Sequence, residues 1–174
     1  MKNTIRKQAI EKRRTLDCIE LSKEIVKNLI SVKEYQKSKN IICYYPLNYE
    51  VNTKILLENK LKNWYLPRVN GESLEICPCS NLKKGSFGII EPQSKPIKYY
   101  ENIDMVIIPA CAADRKGYRL GWGKGYYDRF LPKLDNKCIK VIVIYSQLLY
   151  DSVFPEKHDI KADLIVTDKE ILRL

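Results

Sequence analysis

Histidine is nearly absent from this chain: His158 is the single one among 174 residues. One imidazole cannot build a histidine-rich metal centre, and it leaves Ser–His or Cys–His nucleophilic chemistry poorly supported. A run of about eighteen apolar residues, the minimum for a membrane-spanning helix, is also missing. The opening stretch MKNTIRKQAIEKRR is basic, but no apolar run follows it, so it does not read as a secretory signal. Glu11 and the helical apolar spacing suit folded structure better than a transit peptide. Together these features place the protein in the cytoplasm, unattached to membrane. Without a secretory route, Cys18, Cys43, Cys77, Cys79, Cys111 and Cys138 read as buried thiols, since five of the six lie in apolar strand-like or strand-end segments. Cys77 and Cys79 flank Pro78 and lack the two-residue spacer of zinc and redox sites.

What is present is charge and an apolar pattern long enough to make one core. The 174 residues suit a single domain spanning 1–174. Lys and Arg number 31 against 21 Asp and Glu, a formal charge of +10, which favours anionic partners without choosing among nucleic acid, nucleotides and polyanionic metabolites. Residues 3–15 read as a basic helix with a narrow apolar side formed by Ile5, Ile10 and Leu16. Leu21, Ile25, Leu29 and Val32 recur at helical spacing over about 20–35. IICYYPL at 41–47 reads as a buried strand, and Asn52-Thr53 as the cap of a helix running to Lys62. WYLPRV at 64–69 and LEICPC at 74–79 read as strands joined by an NGE turn. DMVIIPACAA at 104–113, KVIVIYS at 140–146 and DLIVTD at 163–168 complete the strands. Strands that are apolar throughout imply burial on both faces. Interleaved with helices, they predict an α/β fold, a three-layer α/β/α domain with a mostly parallel sheet.

The chain has 7 glycines, and three of them stand at alternate positions in the stretch YRLGWGKGYYDRF, residues 118–130. Alternating glycines spoil both helix and strand. They do allow backbone N–H groups to approach an anion with no Cβ in the way. The loop follows the 104–113 strand and precedes an amphipathic helix carrying Tyr126, Phe130 and Leu131, the place where α/β sheets bind ligands. The helix would add its N-terminal partial charge, Arg119 a two-pronged phosphate contact, and Lys124 a point charge. Asp128 near polyphosphate suits Mg²⁺ better than a direct phosphate contact, and otherwise serves as a surface ion pair. Neither common nucleotide motif is met: Lys124 is followed by Gly125 and not Ser or Thr, and the third glycine comes one residue too early for G-x-G-x-x-G. The residues alone therefore indicate a phosphate loop and no particular nucleotide.

RLGWGKGYYDRF following DMVIIPACAADRKGY resembles the signature of the 5-formyltetrahydrofolate cyclo-ligase (5,10-methenyltetrahydrofolate synthetase) family. The likeness extends over nearly the whole chain, through KNTIR, YYPLNYEVNT, LPRV, GSFGIIEP and FPEKHDIKADLIVTD in the family's order. It implies an ATP- and Mg²⁺-dependent ligase of one-carbon metabolism, with a fold like the ribose-5-phosphate isomerase and CoA-transferase group. The implied reaction converts 5-formyltetrahydrofolate and ATP to 5,10-methenyltetrahydrofolate, ADP and phosphate.

Carried over by position, the resemblance assigns Lys2 and Arg6 to phosphate. Arg119, Leu120, Gly121, Trp122, Gly123, Lys124, Gly125, Tyr126 and Tyr127 become the nucleotide loop, with Trp122 to Tyr126 also bordering the folate. Arg119 and Lys124 are the candidate catalytic residues. Tyr45 and Glu50 fall where the reduced folate is held, and Asp128 and Asp159 where Mg²⁺ is held. Glu91 is a further site candidate, and Asp114 a carboxylate near the metal. Cys111 stands where the family commonly has Gly, Ala113 where it has an aromatic, and Trp122 at a position that varies. The +10 charge would draw a polyglutamate tail on the folate, and a monomer is expected. The competing readings are a basic RNA-binding module, which would gather basic and aromatic residues on one sheet face or groove, and an α/β sugar-phosphate isomerase.

Overall fold

Successive residues of a strand point to opposite faces, so a run such as Met105–Ile108 needs apolar cover on both sides. The computed structural model, which describes residues 1–174 apart from the side chain of Ser86, supplies that cover. Its elements in chain order are helices α1 (Lys2–Arg14), α2 (Cys18–Ser31) and α3 (Lys33–Lys37), then strands β1 (Asn40–Ile42), β2 (Asn63–Asn70), β3 (Ser73–Pro78), β4 (Leu82–Lys84), β5 (Ile90–Pro92), β6 (Met105–Ile108), β7 (Ala112–Asp114) and β8 (Arg119–Leu120). Helix α4 (Tyr126–Phe130) and strands β9 (Ile139–Val143), β10 (Leu149–Tyr150), β11 (Leu164–Val166) and β12 (Ile171–Arg173) follow. The central sheet has the order β12-β11-β9-β6-β1-β2-β3. Its five inner strands are parallel, and β3 and β12 pair antiparallel at the two edges. The α/β expectation with a mostly parallel sheet holds.

Met105 and Ile107 pack on one face with Ile5 and Ala9 of α1 and Ile25 and Leu29 of α2. Val106 and Ile108 pack on the other with Leu74, Ile76, Phe130, Leu131 and Leu134. Truncating one of these, such as the fully buried Ile107 to Ala, typically costs about 2–5 kcal/mol. Both sheet faces are covered, so neither is open for bases to stack on. No described helix is long and apolar enough to cross a membrane. All six cysteines are free thiols, four of them buried.

Several elements are shorter than their sequence pattern predicts. The 41–47 strand ends at Ile42, because Tyr44 turns into a loop of its own: its hydroxyl donates to Val51 O at 2.9 Å and its carbonyl accepts from Thr53 Oγ1 at 2.8 Å. The 52–62 helix is only a 3₁₀ turn, Lys54–Glu58. There Asn52 Oδ1 takes the Lys54 N–H and Asn59 Oδ1 the Leu61 N–H, local bonds that compete with helix. The 104–113 strand is two strands, β6 and β7, in different sheets, divided at Pro109. Val32, in extended backbone, separates α2 from α3. The hairpin β2–β3 is antiparallel although both strands are apolar.

The chain runs from β1 to β2 on one side of the sheet and later enters β6 on the other side of β1. The segments leaving β1 and β6 therefore diverge, and the crevice between them is where α/β sheets bind ligands.

Candidate active site

A cavity of about 510 Å³ opens at that crevice, with Tyr44, Tyr45 and Leu47 from the segment after β1 and Pro109 after β6 in its wall. Of the site residues expected from the sequence, Lys2, Arg6, Tyr45, Glu50, the whole of Arg119–Asp128 and Asp159 line it. Glu91 lines it as well. Strand β2 runs on past the end of β1, and this stretch, paired with β3 alone, forms one wall through Pro67 and Val69. Pro67 has no N–H to leave unmet there, and the Val69 N–H donates to Glu91 Oε1 at 3.0 Å. Asp114 stands apart. Its carboxylate accepts from the N–H groups of Lys116, Tyr118 and Val153 and so organises a buried turn, not a metal site.

The cationic groups come from both ends of the sequence. Lys2 pairs with Glu156 at 2.9 Å and Asp159 at 3.2 Å. Burial opposes its charge, but these two carboxylates outweigh burial and its pKa is raised. Asp159 is opposed by burial too, yet the Glu156 N–H and Lys2 hold its pKa below the usual value. Arg6 donates through Nε to Gly121 O at 2.9 Å, which ties α1 to the glycine loop. The Arg119 side chain is almost fully buried and its Nη2 meets Asp128 Oδ1 at 2.6 Å. Lys124 Nζ sits 5.6 Å from the centre of the Phe87 ring.

The loop differs from expectation in one respect. Helix α4 is only five residues long with Gly125 at its N-cap, too short for a sizeable macrodipole. The groups able to face an anion are thus the loop backbone and the cations. Gly123 holds φ +100°, a conformation that disfavours side chains, whereas Gly121 has an ordinary φ. A Cβ added at Gly121 would find nothing within 4 Å among the described residues.

On the other flank Glu50 is 7 % exposed. It accepts from the Leu47 N–H at 2.7 Å and from the Trp122 indole Nε1–H at 2.8 Å. Burial raises its pKa, against the bonds from Leu47 and Trp122 and the Arg13 charge. Trp122, expected to border the folate, also joins the glycine loop to Glu50 through its N–H. The Tyr127 hydroxyl is buried beside the cavity without a hydrogen-bond partner among the described residues, and burial pushes its pKa far up.

Sequence reasoning missed Phe87, Glu156 and His158 in the wall, and Arg13 behind it. His158 lies 3.6 Å from Glu156 and 3.7 Å from Asp159, within the carboxylate cluster. The signal for Arg13 was there: it continues the buried positions Ile5 and Ala9 at four-residue spacing.

As possible metal donors the wall offers the Asp128 and Asp159 carboxylates. Among the described residues no group of three or more His, Cys, Asp or Glu forms a complete cage. Carboxylate oxygens suit a hard ion that takes its remaining ligands from phosphate and water.

The fold and its cavity are those of an α/β enzyme working at the switch point of its sheet. The model of the 5-formyltetrahydrofolate cyclo-ligase family matches residues 1–168, and the chain belongs to that family. It is 36% identical to the 5,10-methenyltetrahydrofolate synthetase of Aquifex aeolicus, with TM-score 0.87 over 99% of this chain and 92% of that one. Against the synthetase structure from Mycoplasma pneumoniae the identity is 28% and the TM-score 0.77, covering 96% and 98% of the two chains. The 5-formyltetrahydrofolate cyclo-ligase of Haemophilus influenzae is 29% identical over 145 residues, which is 77% of this chain and 78% of the relative.

Proposed function

We propose that this protein cyclises 5-formyltetrahydrofolate to 5,10-methenyltetrahydrofolate with ATP, releasing ADP and phosphate. The observation that carries the reading is that one cavity holds both a basic glycine loop and a buried carboxylate among aromatics, joined by the Trp122–Glu50 bond.

The chemical obstacle is a stable N-formyl amide whose oxygen leaves poorly. Transfer of the γ-phosphoryl group to that oxygen breaks the bond to the β-phosphate and gives an iminium-like phosphate ester. N10 then attacks the formyl carbon and loses its proton, the carbon–oxygen bond breaks, and phosphate departs as the ring closes. No protein nucleophile is required; the protein's part is positioning and charge stabilisation.

The loop amides, Arg119, Lys124, Lys2 and Arg6 are suited to the triphosphate. Arg119 is held in place by Asp128, so its donors are fixed before the substrate arrives. Glu50 is suited to the amino and ring N–H groups of the pterin, and Tyr45 and Trp122 to its ring faces. Asp128 and Asp159 would hold Mg²⁺, their oxygens matching an ion that binds one or two carboxylates together with phosphate. Bound there, the ion would neutralise phosphate charge. The +10 net charge favours folates with anionic polyglutamate tails.

The test is a steady-state assay at the methenyl absorbance band. Absorbance is expected to rise only when ATP, Mg²⁺ and 5-formyltetrahydrofolate are all present. A rise without ATP, or none with all three, overturns the reading.

A further inference from the structure

Arg13 is 2 % exposed, on the face of α1 that otherwise buries Ile5 and Ala9. An apolar side chain would fill that stripe without desolvating a charge. The hydrogen bonds of its guanidinium go to backbone carbonyls: Nη1 donates to Tyr49 O at 2.9 Å, and Nη2 to Ala110 O and to Cys111 O at 3.1 Å. Its Nε has no partner among the described residues. A full charge thus stands in the interior, bonded to the two segments that leave β1 and β6 around the crevice.

Its surroundings converge on Glu50. Tyr49 immediately precedes Glu50. The guanidinium carbon lies 5.6 Å from the centre of the Trp122 ring, whose N–H donates to the Glu50 carboxylate. It lies 5.7 Å from the Tyr145 ring, whose hydroxyl donates to the Glu50 carbonyl at 2.9 Å. That hydroxyl is also 3.3 Å from Ser22 Oγ, which accepts from the Asn52 N–H and fixes the far side of the same loop. The backbone before Glu50, its own carbonyl and the ring bonded to its carboxylate therefore all bear on one guanidinium.

We infer that Arg13 is a positioning residue for the folate side of the site: it fixes the Tyr49–Glu50 turn and the Trp122 ring and supplies the positive potential under the Glu50 carboxylate. This rests on the proposed role of Glu50 toward the pterin. The titratable groups that face Glu50 besides Arg13 are Tyr44 after β1, Cys111 before β7, Tyr127 on α4 and Tyr145 after β9. Burial pushes all four pKa values up, so they stay neutral near pH 7. Arg13 is the cation acting on Glu50, and it opposes the rise that burial imposes.

Arg13→Lys keeps the charge and loses the planar fork, while Arg13→Gln loses the charge. Arg13→Lys is expected to raise the KM for 5-formyltetrahydrofolate about tenfold, with the KM for ATP unchanged within about twofold, as for loss of a charge-assisted contact on one side of the site. Its acid limb in kcat/KM for folate stays where the wild type has it. In Arg13→Gln the limb moves to higher pH, because the charge that favours ionised Glu50 is gone. Combined with Glu50→Gln, Arg13→Lys is expected to add little further loss of folate affinity, since both act on one contact. Equal losses for both substrates, full additivity with Glu50→Gln, or wild-type folate KM in Arg13→Lys would each overturn the inference. Should Arg13→Gln not fold, the Arg13→Lys split and the double-variant comparison still decide it. A wild type that forms no methenyl product, or a Glu50→Gln variant with unaltered folate binding, instead sinks the reading beneath it.

Discussion

Gly121→Ala separates a glycine needed for the fold from one needed by a ligand. At Gly121 the backbone φ is ordinary and an added Cβ meets nothing within 4 Å among the described residues. Alanine there is expected to stabilise the protein by about 0.4–1 kcal/mol by restricting the unfolded chain. For a domain of this size that raises Tm by about 1–4 °C. The methyl group would nonetheless stand in the cavity where the loop amides are proposed to meet phosphate. Losing one hydrogen bond to a charged group costs about 1.5–3 kcal/mol, which is roughly a 10- to 150-fold fall in kcat/KM for ATP at saturating folate. Gly123→Ala is the contrasting case. Its Cβ would lie 3.7 Å from Arg6 Cζ, an ordinary contact, but φ is +100°, and strain there costs about 1–3 kcal/mol. Gly123→Ala should therefore lose both stability and activity, and Gly121→Ala activity alone. Thermal unfolding and initial rates on the two purified variants suffice. A Gly121→Ala enzyme with wild-type kcat/KM for ATP would refute the reasoning, because no feature of the fold then accounts for that glycine.

Arg119→Ala is expected to lower kcat about 10²–10³-fold, the usual cost of removing a fixed transition-state donor. The Arg119 side chain is only 4% exposed, so its truncation should also lower stability by about 1–3 kcal/mol; rapid-quench and unfolding measurements check the two figures. Burial raises the Glu50 pKa above the ordinary carboxylate value. Folate affinity should therefore hold above that raised pKa and fall as pH drops through it, at higher pH than for an exposed glutamate. Glu50→Gln should abolish the limb and weaken folate binding about 10- to 150-fold, read by titration calorimetry. EDTA should stop turnover yet leave Tm unchanged, since no described cluster of three or more ligating side chains anchors a structural ion. A clear drop in Tm would argue for a metal held by the protein alone.

The readable parts of this molecule are those encoded within a few residues of one another. Runs such as Met105–Ile108 announce strands covered on both faces, and the glycine loop keeps its whole chemistry inside ten residues. Strand ends are harder to read, because Tyr44 and Asn52 leave regular structure through single side-chain bonds that leave no mark on the apolar pattern. Partnerships across the chain are hardest. Lys2 meets Asp159 across 157 positions, and only the family resemblance put them together. Arg13 is one of several cations in a basic helix, although its spacing from Ala9 sets it on the buried face. The resemblance did not mark it either.

The local departures from ordinary design gather around one cavity. Among the described residues, a guanidinium is buried without a carboxylate bonded to it, a carboxylate is buried beside an indole, and a tyrosine hydroxyl has no partner. A glycine holds a backbone conformation closed to other residues. Sequences that fold well are otherwise consistent from level to level, and such exceptions persist where function requires them. Here they share one consequence. Arg6 holds Gly121 O, Trp122 holds Glu50, and Asp128 holds Arg119, so the protein's own side chains hold the loop from both sides. Donors set before charge develops need no reorganisation during the reaction. That is the contribution the proposed reaction, which calls on no protein nucleophile, would ask of the protein.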